Sequence, residues 1–112
     1  MSLWRVHIAL PDGSTATVMV GADEYILDAA ARAGLVLPSL CRQGWCIACA
    51  ARLCSGEVDQ TDALRYYPQD RAAGFVLLCT ARPRSDLSIV SHQSEALRRH
   101  RDACGLPAPR GT

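Results

Sequence analysis

The sequence predicts an α+β fold in which a small mixed β-sheet carries one main helix packed across it. Three observations predict that class. Two early segments alternate apolar and polar residues around a Gly turn. One following stretch repeats its apolar residues at helical spacing. Later segments return to strand-like composition. At 112 residues the chain suits one domain with one hydrophobic core.

The elements follow in order. In WRVHIAL, Trp4, Val6, Ile8 and Leu10 share one face while Arg5 and His7 share the other, which is a half-buried strand. PDGS is a turn in which Gly13 can take positive φ, and TATVMV, residues 15–20, returns as the second strand of a hairpin. In ADEYILDAAARAG, Asp23 is the expected N-cap and Glu24 suits the helix dipole. Ile26, Ala29, Ala30 and Ala33 form the apolar stripe, and Gly34 stands at the C-terminal left-handed position. AARLCSGEVDQ reads as a short strand and a Gly turn. TDALRYYPQD reads as a polar connection with at most a helical turn before Pro68. GFVLLCTA, residues 74–81, is a continuous apolar run and is expected to be a buried central strand. RPRSD is a turn and LSIVS a last strand, giving the order β-β-α-β-β-β. EALRRHRDAC is expected to form a helical extension. GLPAPRGT, residues 105–112, is rich in Pro and Gly and is expected to be disordered.

Composition narrows the function classes. Apolar residues make up 49% of the chain and charged residues 21%, which suits a globular protein. The formal net charge of +1 gives no electrostatic case for nucleic-acid binding. All 12 basic residues are Arg. They are unevenly placed, because residues 91–112 hold Arg98, Arg99, Arg101 and Arg110 against only Glu95 and Asp102. No segment has the length and apolarity of a membrane span. The opening MSLWRVHIALPDG lacks a basic stretch, apolar run and cleavage site, so a cytoplasmic location is expected. No Ser/His/Asp triad, paired-carboxylate site or phosphate loop is present, so the chain is not expected to be an enzyme.

The chemistry concentrates in SLCRQGWCIACAARLC, residues 39–54, which holds four of the 6 cysteines. A disulfide staple, a zinc site and an iron–sulfur cluster compete for this loop. A reducing compartment disfavours the staple. Zinc modules usually carry a C-x2-C knuckle at each end. Here Cys41, Cys46, Cys49 and Cys79 form C-x4-C-x2-C-x29-C, with three cysteines in one loop and the fourth on a distant strand. That is the known spacing of plant-type [2Fe–2S] ligation. The physics agrees with it. A binuclear cluster takes two thiolates per iron, and a tight loop can turn its backbone N–H groups toward the sulfurs. Gly44 permits close backbone approach, and Arg42 can offset the negative charge of the cluster, which deepens on reduction.

The sequence resembles the plant-type and cyanobacterial [2Fe–2S] ferredoxins, a β-grasp family. The resemblance covers about residues 4–97 and rests on DEYILDAAARAGLVLPSLCRQGWC, SGEVDQTD and GFVLLCTARPRSD. It implies a β-grasp fold for residues 1–97 and one [2Fe–2S] cluster on Cys41, Cys46, Cys49 and Cys79. It also implies a monomeric carrier that moves single electrons between redox proteins, for the plant type at about −400 mV. Residues 98–112 are expected to be a C-terminal extension, helical and then disordered. The family usually has a small residue where Trp45 stands. LRYYPQDR and HQSEALRRHR replace acidic segments that dock basic reductase faces, which argues against the usual ferredoxin–NADP reductase partnership.

Other residues have a plain and a sharper reading. Cys54 could replace Cys41 as a ligand but is expected to be a small buried hydrophobe, and Cys104 a free thiol. Trp45 either covers apolar surface or shields the cluster and shifts its potential. His7, His92 and His100 read as ordinary polar residues. The basic extension is either a solvated face or a docking element. The alternative to a carrier is a redox-sensing or cluster-transfer regulatory protein that binds its target through that extension.

Overall fold

A computed structural model of the chain describes residues 3–35, 37, 48–63 and 66–106. Among the described residues, β1 (Leu3–Ala9), β2 (Thr15–Gly21), β3 (Ala50–Ser55), β5 (Phe75–Leu77) and β7 (Leu87–Val90) form a mixed sheet in the order β2-β1-β7-β3-β5. β1 and β7 run parallel and the other neighbours antiparallel. β4 (Val58–Asp59) and β6 (Arg82–Pro83) make a second, two-stranded sheet. The helices are α1 (Ile26–Arg32), α2 (Pro68–Ala72) and α3 (Ser94–Cys104). The small mixed sheet is as expected, and α2 and α3 add to the one main helix expected across it.

The hairpin follows its alternation. Val6 and Ile8 on β1 face the core with Val18 and Val20 on β2, while Arg5, His7, Thr17 and Met19 are exposed. The cross-strand register sets Val6 opposite Val18, so one apolar face is continuous across the pair. Helix α1 buries Ile26, Leu27, Ala29 and Ala30, and Gly34 past its end has φ +88°. At 7 residues it is too short to be stable alone and depends on this packing.

The cap of α1 differs from expectation. Tyr25, not Asp23, is the N-cap residue, and no side chain caps the helix. Instead the Ile26 N–H donates to the Ala81 carbonyl at 2.9 Å, and the Leu27 N–H to the Leu78 carbonyl at 3.0 Å. Backbone carbonyls distant in sequence thus satisfy donors that a local side chain was expected to take. Glu24 acts one residue later than the expected cap, accepting from the Gly21 N–H at 2.9 Å and pairing with Arg32.

The run 74–81 also differs. It forms a strand only over Phe75–Leu77, and that strand lies at the sheet edge, not at its centre. The run is buried nonetheless, because side chains close its free edge. The Tyr66 hydroxyl donates to the Phe75 carbonyl at 2.6 Å, and the Gln60 side-chain oxygen accepts from the Leu77 N–H at 2.6 Å. Such covering hides an open ladder from other strands. Helix α2 starts at Pro68 and not before it, with Pro in the first helical turn where its missing N–H costs nothing.

Gly56 turns the chain between β3 and β4 at φ +97°. A Cβ there would lie 2.3 Å from the Asp86 carbonyl oxygen, so only glycine fits. The segment EALRRHRDAC is helical as expected, within α3. Its Arg101 is fully buried in an ion pair with Asp70 of α2, the Arg101 Nη2 standing 2.7 Å from Oδ2. Gly105 closes α3 in the left-handed conformation at φ 71°. The tail expected to be disordered lies, from residue 107 onward, outside the described residues.

Candidate metal centre

Two of the four candidate ligands, Cys49 and Cys79, are described; Cys41 and Cys46, with Arg42, Gly44 and Trp45, lie outside the described residues. Cys49 immediately precedes β3 and Cys79 follows β5 by one residue. The antiparallel pairing of Ala50 with Leu77 brings these two positions to the same end of the ladder. The Leu78 N–H donates across to the Cys49 carbonyl at 3.3 Å.

The two sulfurs stand 3.3 Å apart, and each residue is only 3% exposed. A disulfide would need about 2.05 Å. A tetrahedral metal with thiolate bonds of about 2.3 Å separates its sulfurs by about 3.8 Å. The observed pair is much closer to the second geometry. Two thiolates at this distance in an apolar setting repel each other, and a metal ion relieves that repulsion. Leu37, Ala50, Leu77, Leu78 and Ala81 are buried in the same core as the sulfurs. The pair therefore has the chemistry and spacing of two thiolate donors to a metal. Among the described residues no three His, Cys, Asp or Glu side chains gather to hold a metal.

The turn that carries Cys79 is fastened on several sides. Its own closing bond runs from the Thr80 N–H to the Leu77 carbonyl at 3.2 Å. The α1 N–H groups already described hold Leu78 and Ala81, and Gln60 holds Leu77. These donors and acceptors are all neutral.

Charge gathers beside the turn instead. Asp59 accepts from the Thr61 hydroxyl at 2.6 Å, from the Thr61 N–H at 2.9 Å and from Arg84 at 2.5 Å. These bonds, the Thr61 hydroxyl foremost, hold its carboxyl well below the usual carboxylate range. Arg82 lies 3.2 Å from Asp62, whose other partner is the Tyr25 hydroxyl; that hydrogen bond raises the Tyr25 pKa. Burial pushes the Tyr66 phenol up to about 12, with the Asp70 charge adding to it.

The remaining candidates fall elsewhere. Cys54 is exposed, not buried as expected, because the irregularity between Leu53 and Ser55 in the β3–β7 register re-aims the strand there. Cys104 is exposed on α3. His7 bonds Thr17, His92 bonds Ser91, and His100 donates to the Gln69 carbonyl, so all three are ordinary polar residues. Gln60, Tyr66 and the Arg101–Asp70 pair went unnoticed in the sequence. Arg101 alone carried a signal, sharing the inner face of α3 with Leu97 four positions earlier.

Comparison with known proteins agrees with this geometry. Residues 9–84 match the family described as 2Fe-2S iron-sulfur cluster binding domain. The chain is 42% identical over 97 residues to Ferredoxin-2 of Synechococcus sp., covering 87% of this chain and 91% of that one. It is 39% identical to chloroplastic Ferredoxin-6 of Zea mays, over 85% of this chain and 61% of that one. It is 38% identical to chloroplastic Ferredoxin C 2 of Arabidopsis thaliana, over 68% of this chain and 42% of that one. The solved structure of pectocin M2 matches with a TM-score of 0.75 and 34% identity, over 82% of this chain and 34% of that one. The Amycolatopsis cytochrome P450 reductase GcoB matches with a TM-score of 0.67 and 30% identity, over 78% of this chain and 26% of that one. The chain thus spans about a third or less of these solved chains. The chloroplastic relatives overturn the cytoplasmic expectation. A targeting segment is read and removed before the domain functions, so the folded residues carry no mark of compartment.

Proposed function

The chain belongs to the 2Fe-2S iron-sulfur cluster binding domain family, and on that premise we propose that Cys41, Cys46, Cys49 and Cys79 hold its cluster as four thiolates. Membership makes the protein an electron-carrier ferredoxin domain with a [2Fe–2S] cluster, not an enzyme. When bound, the cluster supplies a one-electron ferric–ferrous couple.

The observation that carries the ligand assignment is the buried pair of sulfurs 3.3 Å apart. Cys49 and Cys79 are read as sharing one iron, which leaves Cys41 and Cys46 for the other. The surrounding residues keep water from these sulfurs and fix their backbone before the metal arrives. Folding and cluster insertion are read as coupled, because without metal the four cysteines would leave a loose loop.

Reductases such as the Amycolatopsis protein contain a similar domain, which makes reductase-type redox proteins the reference for partners. We read this chain as a monomer that exchanges electrons with a reductase and an acceptor. Residues 1–97 are read as the ferredoxin unit and 98–112 as its extension. The exposed Arg99 on α3 suits an acidic partner surface, the reverse of docking through clustered acids.

Serine replacement at each cysteine tests the ligand set. Cys41→Ser, Cys46→Ser, Cys49→Ser and Cys79→Ser should each lose iron or change the visible spectrum. Cys54→Ser and Cys104→Ser should retain wild-type iron, sulfide and spectrum. A wild-type spectrum in Cys79→Ser, or its loss in Cys54→Ser, would overturn the assignment.

A further inference from the structure

We infer that Gln60 is a positioning residue for Cys79, its side-chain amide setting where the Cys79 sulfur stands; this rests on reading Cys79 as a cluster ligand. The primary amide offers the same donor and acceptor as a peptide unit, in one plane. Its oxygen accepts from the Leu77 N–H at 2.6 Å. Its nitrogen reaches the Leu77 carbonyl at 3.3 Å and the Thr80 hydroxyl at 3.4 Å. The amide therefore stands where a neighbouring strand would, and it touches the chain on both sides of Cys79.

Gln60 is itself held in place. It follows Asp59, which pairs with Arg82 across the β4–β6 ladder and takes the Thr61 N–H at 2.9 Å. Asp59 and Gln60 thus grip both ends of the segment from Leu77 to Arg82, in whose middle Cys79 lies. Thr80 is only 4% exposed, so its hydroxyl depends on protein partners. Glutamate could keep the bond from the Leu77 N–H but would lose both donated bonds and set a carboxylate against the Leu77 carbonyl. Leucine would keep the approximate bulk and lose all three.

The test compares cluster-loaded wild type with Gln60→Leu, Gln60→Glu, Tyr66→Phe and Cys79→Ser. The readouts are visible circular dichroism, the electron paramagnetic resonance spectrum of the reduced protein, and the rate of iron loss to a chelator. Tyr66→Phe removes a hydroxyl from the same strand edge at Phe75, further from the sulfur, and controls for loosening of the edge. Iron loss about tenfold faster in Gln60→Leu is expected, with a smaller increase in Gln60→Glu. Both Gln60 variants should alter the dichroism and resonance spectra, and Tyr66→Phe should leave them unchanged. If Gln60→Leu takes up no cluster, Gln60→Glu must still show the altered spectra. Wild-type spectra and iron-loss rate in Gln60→Glu overturn the proposal, as does an equal spectral change in Tyr66→Phe. A wild-type spectrum in Cys79→Ser overturns the ligand assignment itself, separately from Gln60.

Discussion

The turn carrying Cys79 and the corner where α2 meets α3 are fastened in opposite ways. The turn is held by neutral hydrogen bonds from separate places: two α1 N–H groups, the Cys49 carbonyl and the Gln60 amide. The corner turns on a buried ion pair, Arg101 with Asp70, neither side chain exposed at all. Tyr67 stacks beneath the guanidinium with 5.0 Å to its ring centroid, and its N–H donates to Asp70 at 3.1 Å. Neutral fastening spread over several elements fixes a position with no charged group among the bonds that hold it. A charged latch concentrates its effect in two side chains, so removing either one leaves a buried charge without its main partner.

The largest effect should come from breaking the latch. Arg101→Ala is expected to destabilise the fold by about 3–5 kcal/mol in urea unfolding. An apolar pair, Arg101→Met with Asp70→Leu, should recover much of that loss. A cost for Arg101→Ala below about 1 kcal/mol would show that the latch is not the main fastening of the corner. It follows that truncating the extension before Arg101 would disturb the fold and cannot isolate its role in docking.

A single bond lost near the sulfur-bearing turn should cost much less. Tyr66→Phe removes one hydrogen bond and should cost about 1 kcal/mol in the same measurement. A loss as large as that of Arg101→Ala would erase the contrast between the two regions.

The pH profile adds a second handle, since Asp59 and Tyr66 both have displaced pKa values. Asp59 is held below its usual value, so its contribution is present above about pH 4 and is lost as pH falls toward its folded pKa. Tyr66 is raised from 10.0 to about 12, so its contribution is complete below pH 10 and is lost as pH climbs through 12. Asp59→Asn should flatten the acid limb of stability against pH, and Tyr66→Phe the alkaline limb. An unchanged limb in either variant would contradict the corresponding shift.

The smallest effect on stability should be that of Arg99→Glu on the exposed side of α3, within about 0.5 kcal/mol. Its rate of electron exchange with an acidic partner should fall, and that rate should depend less on salt than in wild type. An unchanged rate would remove α3 from the docking surface.

Local pattern made part of this legible. Alternation placed β1 and β2, spacing placed α1, and the cysteine pattern pointed to the [2Fe–2S] family that the chain belongs to. What stayed hidden depends on contacts distant in sequence. The α1 cap was misread because Leu78 and Ala81 supply the carbonyls that Asp23 was expected to replace. The apolar run at 74–81 carries no period, so it could not distinguish a central strand from an edge strand and a buried turn. Gln60 and Asp70 look like surface residues in a polar stretch, and only the fold turns them inward.

The central claim is that this chain carries single electrons on one thiolate-held [2Fe–2S] cluster. Absorption of the purified protein before and after dithionite, with iron and sulfide counted, tests it most directly. The account expects a red-brown protein with about two irons and two sulfides per chain, whose broad visible bands bleach on uptake of one electron. A colourless protein that holds stoichiometric zinc when isolated without air, and cannot be reconstituted with iron and sulfide, would contradict it.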